Sequence, residues 1–401
     1  MGQCQRAGCG SLSPVPPSSS CPARRPMTPV LPDDLRTDPL PRAETIPSRW
    51  YTDPAMAPLE RAAVFRPSWQ VAGHVSQLAA PGATLRATVA GEPVVVVRGA
   101  DGALRAFYNV CRHRGGPLVT ADGADPCRVL QCQYHGWTYT LDGRLRGVPR
   151  FDRTELFSRD DHALVPVAVD VWRDLVWVCT DPDAAPPLAD VLADVDARTP
   201  PATLDGLRFH TRVTYDVACD WKVYVDNYLE GYHLPLVHPE LCKTLDVGAY
   251  VTETFGRASL QHSPLRDGGG GVYADGDAFY WFVFPNGMLN VLPGRLQTNV
   301  VLPAGPGRCR VLFDYLYADG ADDAAKAADL AFSDAVQQED IAICEAVQRG
   351  LASRGYDRGR FSVEAEAGVH HFQSLLKEAY ARGLASPADD APGPPGLRPE
   401  R

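Results

Sequence analysis

The sequence predicts an α+β chain, a small all-β unit followed by a larger one that joins an antiparallel sheet to helices. Three observations predict it. Short apolar runs separated by Asp-Gly turns fill the first half. From about residue 183 the text changes: Pro186-Pro187 and Pro200-Pro201 lead into strand-like runs interrupted by helical ones. A long stretch of helical spacing begins near Asp322 and stops at Gly350, a residue favoured just past helix ends.

The elements follow in order. Val94–Val97 is a solid apolar strand between Pro93 and Gly99, Asp101-Gly102 is a hairpin turn, and Leu104–Val110 returns. The aromatic strand Trp137–Tyr139 precedes a second turn at Asp142-Gly143, and Val165–Val171 and Leu175–Cys179 are two more strands. In the second half, strands are expected at Arg208–Val217, Val272–Pro285, Leu296–Leu302 and Arg310–Leu316. Helices are expected at Trp221–His233 and Asp322–Arg349.

With 401 residues the chain can fill two cores. The expected division is a disordered extension over 1–42, domains over 43–182 and 183–385, and a disordered Pro/Gly-rich tail over 386–401. The first 26 residues are Pro/Ser-rich and lack the apolar core of a secretory signal, so Met27 is a candidate start. A zinc pair at Cys4 and Cys9 lacks partner ligands nearby. A net charge of −10 argues against nucleic acid as a partner. No apolar run approaches the ~20 residues that span a bilayer. Eleven cysteines in no regular framework point to a reducing cytoplasm.

Two constellations carry chemistry. The first is Cys111-Arg112-His113 with Cys132-Gln133-Tyr134-His135, each a Cys–His pair on a glycine-flanked loop after a strand. Two thiolates and two imidazoles in mixed pairs are the ligand set of a Rieske [2Fe–2S] centre, thiolates on one iron and histidines on the other. The rival is a structural Cys2His2 zinc site, whose pairs usually run like with like.

The second is Glu230-x2-His233-x4-His238 with Asp340 far downstream. Two histidines and a carboxylate on one face of iron, open opposite, form the facial triad of non-haem Fe(II) oxygenases. On an ideal helix His233 and His238 lie about 140° apart. Pro235 between them should deform the helix and swing His238 back; a broken helix with two ordinary histidines is the competing reading. Asp340 falls on a helical stripe with Val336, Ile343, Val347 and Leu351. A buried carboxylate there wants a metal or a salt-bridge partner, and both readings stay open.

Cys111-x-His113 and Cys132-x2-His135 resemble the Rieske motif of aromatic-ring-hydroxylating oxygenase α subunits. The 18 residues between His113 and Cys132 make the gap slightly longer than usual, an enlarged turn at Asp122–Pro126. Respiratory Rieske proteins place a disulfide where this chain has Gly116 and Tyr134, so the resemblance is to the oxygenase type. Cys127 is expected to be a free thiol. Trp221-Lys222, Asp226-Asn227, Glu230-x2-His233-x4-His238 and Gln338-Glu339-Asp340-Ile341 resemble the same family's catalytic-domain motifs, over about Trp50 to Arg382.

The resemblance implies an all-β Rieske domain followed by a helix-grip catalytic domain. It implies Fe(II) on His233, His238 and Asp340, with Asn227 beside the iron. Glu230 would bridge a cluster histidine of one subunit to an iron-binding histidine of the next, within a head-to-tail homotrimer. Electrons would come from an NAD(P)H-dependent, ferredoxin-type reductase carrying flavin, since this chain has no nucleotide motif. The substrate would be a small molecule, with O2. Glu at position 230, the segment Phe279–Asn286 and Gln297-Thr298-Asn299 resemble the branch acting on choline, glycine betaine, carnitine and stachydrine. Tyr280, Trp281 and Phe282 are therefore substrate candidates, since aromatic faces cradle quaternary ammonium groups; as ordinary strand aromatics they would simply fill the core. Hydroxylation or N-demethylation of such a compound is expected. Ring hydroxylation of an aromatic acid is the alternative, and an electron carrier without catalytic iron is the remote one. His74, His162, His210, His262 and the pair His370-His371 are assigned no chemistry.

Overall fold

A computed structural model describes residues 30–121, 125–266 and 276–385. The expected disordered tail, most of the N-terminal extension with Cys4, Cys9, Cys21 and Met27, part of the enlarged turn, and residues 272–275 of one expected strand lie outside these.

From Gln70 to Cys179 the first half is built of strands, but the helical segments Arg49–Thr52, Met56–Glu60 and Arg61–Phe65 precede them, so the unit expected over 43–182 is not all-β throughout. A six-stranded antiparallel sheet runs in the order Gln70–His74, Leu175–Cys179, Pro166–Trp172, Leu104–Tyr108, Glu92–Arg98, Thr84–Val89. The apolar run Val94–Val97 is fully buried on both faces, as a continuous rather than alternating pattern requires. Gly102 and Gly143 adopt the left-handed conformation that the two Asp-Gly turns need. A three-stranded sheet of Leu130–Gln131, Thr138–Tyr139 and Leu145–Gly147 carries one of the two Cys–His loops.

The second half is a seven-stranded antiparallel sheet ordered Leu207–Val217, Cys309–Ala318, Arg295–Pro303, Gly287–Leu292, Asp277–Val283, Ala258–Pro264, Val251–Thr254. The helices Trp221–Tyr228, Asp323–Leu351 and Ala367–Ala385 accompany it. Asp322 caps the long helix by accepting the Ala325 N–H at 2.9 Å. This is the α+β architecture the sequence predicts. The expected strand Val272–Pro285 starts only at Asp277 within the described residues, and Gly287–Leu292 pairs with it as a hairpin partner not foreseen.

Two expectations fail. Residues 30–42, assigned to the disordered extension, pack onto the C-terminal half. Asp34 is buried and paired with both Arg49 and Arg358, and Lys377 Nζ donates to the Arg36 carbonyl at 3.0 Å. The expected helix Trp221–His233 stops at Tyr228. Pro235 then sits in the first turn of a second short helix, Leu234–Val237, where its missing N–H costs nothing.

The helix Trp221–Tyr228 is clamped by the first half of the chain. Lys222 is fully buried, with Nζ 2.5 Å from Glu60 Oε1 and 2.7 Å from Asp220 Oδ1. Glu60 also accepts from Trp221 Nε1 and the Tyr380 hydroxyl, each at 3.0 Å. Asp226 accepts the Tyr51 hydroxyl at 2.5 Å and the Gln373 amide at 3.2 Å. Buried ionisable groups are tolerated only when paired or hydrogen-bonded in this way.

Candidate metal centres and cavity

The two Cys–His loops repeat one hydrogen-bond pattern. Gly115 N–H donates to the Cys111 carbonyl at 3.0 Å, and Cys111 N–H to the Gly116 carbonyl at 2.8 Å. Gly136 N–H donates to the Cys132 carbonyl at 3.1 Å, and Cys132 N–H to the Trp137 carbonyl at 2.8 Å. Both turns need a left-handed residue, and Gly115 (φ +71°) and Gly136 (φ +73°) supply it.

This pattern pairs like with like across the loops. The thiols of Cys111 and Cys132 are buried neighbours, and the rings of His113 and His135 lie 4.7 Å apart. His113 stacks on Trp137 at 4.8 Å. The Tyr139 hydroxyl lies 3.3 Å from Cys111 Sγ and accepts the Arg112 N–H at 3.0 Å. A Cβ on Gly116 would stand 2.9 Å from Cys132 Sγ, so the closest approach to that sulfur is reserved for a glycine.

His113 Nδ1 is buried with no hydrogen-bond partner. An orphaned imidazole nitrogen beside two inward thiols fits a [2Fe–2S] cluster with thiolates at one end and imidazoles at the other. Cys127 is a free thiol, as expected.

The second group is assembled from three elements. Glu230 follows the end of the helix Trp221–Tyr228, and its Oε2 accepts the backbone N–H groups of Tyr232 and of His233, the latter at 3.1 Å. That turn makes His233 the N-cap of the helix Leu234–Val237, and His238 ends it. The break brings the two rings to 5.1 Å. Asp340 Oδ1, from the long helix, lies 3.0 Å from His238 Nε2 and 3.8 Å from His233 Nε2. One donor atom from each of the three residues lies within 4.8 Å of the others. Asn227 Nδ2 donates to Asp340 Oδ1 at 2.7 Å.

Both outer ring nitrogens are held by glutamates. His233 Nδ1 is 2.6 Å from Glu230 Oε1, and His238 Nδ1 is 2.7 Å from Glu339 Oε2. Burial works against a charged His238, but the Asp340 and Glu339 carboxylates outweigh it and hold the ring above the usual imidazole range. Two Nε2 atoms and a carboxylate converging on one point, with both Nδ1 atoms tied back, fit a divalent cation. The apolar stripe expected through Asp340 is only partly the inward face: the buried residues of its helix are Asp329, Gln337 and Cys344, whereas Val347 is 44% exposed. Asp340 sits at the edge of that face, opening on a cavity.

The cavity, of about 120 Å³, touches His233, His238 and Asp340. Its sheet wall includes one row of paired residues, Gln261 opposite Tyr280, Tyr280 opposite Asn290 and Asn290 opposite Gln297, with Arg295, Asn299 and Phe313 beside it. Side chains on one face of neighbouring strands fall in such rows. Tyr228 and Tyr250 close another side. Tyr228 donates to Asn290 Oδ1 at 2.7 Å and Tyr250 to Gln261 Oε1 at 2.8 Å. Burial pushes Tyr280 up to about 12 and Tyr228 and Tyr250 well above the usual phenol range, so all three stay neutral.

Of the three aromatic candidates only Tyr280 lines the cavity. Trp281 points to the opposite face of the sheet, packed in a separate core with Val191 and Leu289. Phe282 shares the face of Tyr280 but packs on Phe372, with ring centroids 5.5 Å apart. Gln297 and Asn299 reach the cavity; Thr298 between them does not. Sequence reading missed Tyr228, Tyr250, Asn290 and Glu339. The signal for Glu339 was its place beside Asp340; the others have none in local text.

A model of the Rieske [2Fe–2S] domain matches residues 68–164, and one of the ring hydroxylating alpha subunit catalytic domain matches residues 204–382. The chain is 38% identical over 360 residues to the chloroplastic choline monooxygenase of Arabidopsis thaliana, covering 84% of this chain and 83% of that one. It is 33% identical over 367 residues to the carnitine monooxygenase oxygenase subunit of Escherichia coli strain K12, covering 88% and 97%. A quaternary ammonium Rieske monooxygenase solved with L-carnitine shares the fold, with a TM-score of 0.76, 29% identity and coverage of 84% and 96%. Naphthalene 1,2-dioxygenase from Rhodococcus shares the fold at 20% identity, with a TM-score of 0.72 and coverage of 86% and 95%.

Proposed function

The chain belongs to the family of Rieske-type ring-hydroxylating oxygenase α subunits, and on that premise we propose that it is the oxygenase component of a multicomponent monooxygenase acting on a small quaternary ammonium compound. The observation that carries the substrate class is the placing of His233, His238 and Asp340 on the wall of a small cavity bounded by the rings of Tyr228, Tyr250 and Tyr280. Neutral aromatic faces attract a cation without neutralising it; in the same lining the Glu230 and Asp340 carboxylates favour a cation, whereas the Arg295 guanidinium, which opposes one, is paired with Asp329 at 2.7 Å.

In this reading residues 43–182 carry the cluster on Cys111, Cys132, His113 and His135. Residues 183–385 carry Fe(II) on His233, His238 and Asp340. When bound, the two centres supply single electrons and O2 activation. Glu230 orients His233 through Nδ1 and, in a head-to-tail homotrimer, meets a cluster histidine of the neighbouring copy. His135 and Tyr134 are exposed, as such a contact needs. Asn227 fixes the Asp340 carboxylate. Electrons come from an NAD(P)H-dependent flavin reductase of the ferredoxin type. Free cysteines at all eight described positions suit a reducing compartment, which we take to be the cytoplasm. Among the described residues no helix is long and apolar enough to cross a membrane.

Hydroxylation of an N-methyl group, with O2 and two electrons from the reductase and with the second oxygen atom leaving as water, gives an N-hydroxymethyl ammonium that loses formaldehyde and a proton to leave the tertiary amine. The test is turnover with a reductase on glycine betaine, stachydrine, carnitine, choline and benzoate-type acids, following O2 uptake and products. Oxidation of an ammonium substrate is the expected result. Dihydroxylated ring products from the acids, with every ammonium compound inert, would replace this reading with ring hydroxylation.

A further inference from the structure

Glu339 does for His238 what Glu230 does for His233, from a different part of the fold. Glu230 is three residues from His233 and belongs to the same turn. Glu339 is 101 residues from His238 and lies on the long helix, directly before Asp340. His238 is therefore gripped through both ring nitrogens by consecutive residues of one helix: Nδ1 by Glu339 at 2.7 Å and Nε2 by Asp340 at 3.0 Å.

With Glu339 in place the ring is only 1% exposed, so that carboxylate is what meets Nδ1. Neighbouring helix residues point about 100° apart, which lets one carboxylate face the cavity and the other reach round its rim. Glu339 is 40% exposed and anchors nothing in the core. The one described hydrogen bond of its side chain is to His238.

We infer that Glu339 is a positioning residue for the iron site: its carboxylate holds the His238 imidazole with the proton on Nδ1 and Nε2 turned toward the metal. The inference rests on the reading that His233, His238 and Asp340 bind Fe(II). Because the long helix supplies both Asp340 and the acceptor that orients His238, the spacing of two ligands is set by one rigid element. A carboxylate acceptor behind an imidazole also strengthens its Nε2 as a ligand.

The test is anaerobic Co(II) titration of iron-stripped protein with its cluster intact, read by visible d–d bands, for wild type, Glu339→Ala and Glu339→Gln. Wild type should bind one Co(II). Glu339→Ala should bind about 10- to 100-fold more weakly with altered bands. Glu339→Gln keeps an acceptor and should recover most of the affinity. The cluster spectrum should be the same in all three, which a general loss of structure would not allow. Wild-type affinity and bands in Glu339→Ala would overturn the inference and leave the metal site standing. Failure of wild type to bind Co(II), with His233→Ala no different, would overturn the metal-site reading and this inference with it.

Discussion

Asn227 and Asp340 lie 113 positions apart, yet the Asn227 amide donates to Asp340 Oδ1 at 2.7 Å. The same oxygen is the one nearest His238 Nε2. The amide thus decides which way the carboxylate faces. Asn227→Ala should free its rotation and lower iron occupancy of the second site about tenfold. Metal analysis against an unchanged cluster absorbance checks this.

Glu230→Gln keeps an acceptor for the Tyr232 and His233 N–H groups but loses the charge. Both centres should remain loaded, while turnover falls about 100-fold or more. Iron content, cluster EPR and single-turnover product yield separate the two effects. Near-normal turnover would remove Glu230 from the electron path.

Tyr139 brings its hydroxyl to 3.3 Å from Cys111 Sγ. A hydrogen bond to a cluster sulfur stabilises the reduced state, which carries more negative charge. Tyr139→Phe should lower the cluster midpoint potential by tens of millivolts without loss of the cluster. Redox titration followed by EPR measures it; an unchanged potential would show that the hydroxyl serves only the Arg112 backbone.

Asp226 has its carboxyl pushed by burial up to about 7, although the Tyr51 and Gln373 hydrogen bonds work the other way. The folded chain then keeps a proton that the unfolded chain releases above the ordinary value of 3.8. This group's share of stability is present below about pH 4 and is lost as pH rises through about 7. Thermal melts from pH 4 to 8 should show that downward contribution in the wild type and not in Asp226→Asn.

The ligand candidates were legible because each donor pair sits within a few residues, where turn glycines and prolines mark the local geometry. Asp340 was found by helical spacing, although the stripe itself was misplaced, because Gln337 and Ser333 are drawn inward by polar partners rather than apolar contact. The cavity wall was not legible. Which of Tyr280, Trp281 and Phe282 faces it depends on the register of four neighbouring strands, and a period of two sends Trp281 to the other side. The order of residues 30–42 was invisible for a related reason: the Asp34 partner Arg358 lies 324 positions away. Distant pairing leaves no trace in local composition.

The Lys222–Glu60 contact joins residues on opposite sides of the proposed boundary at 182/183. A fragment beginning at residue 183 would bury an ammonium with Asp220 alone, and removing one partner of such a pair costs about 3–5 kcal/mol. It would also bare the surface that Trp50 and Phe65 cover against Tyr380 and Trp221. The C-terminal half therefore cannot be borrowed as a free-standing module. Any chimera that swaps the Rieske domain must carry Tyr51 and Glu60 along with the C-terminal sheet.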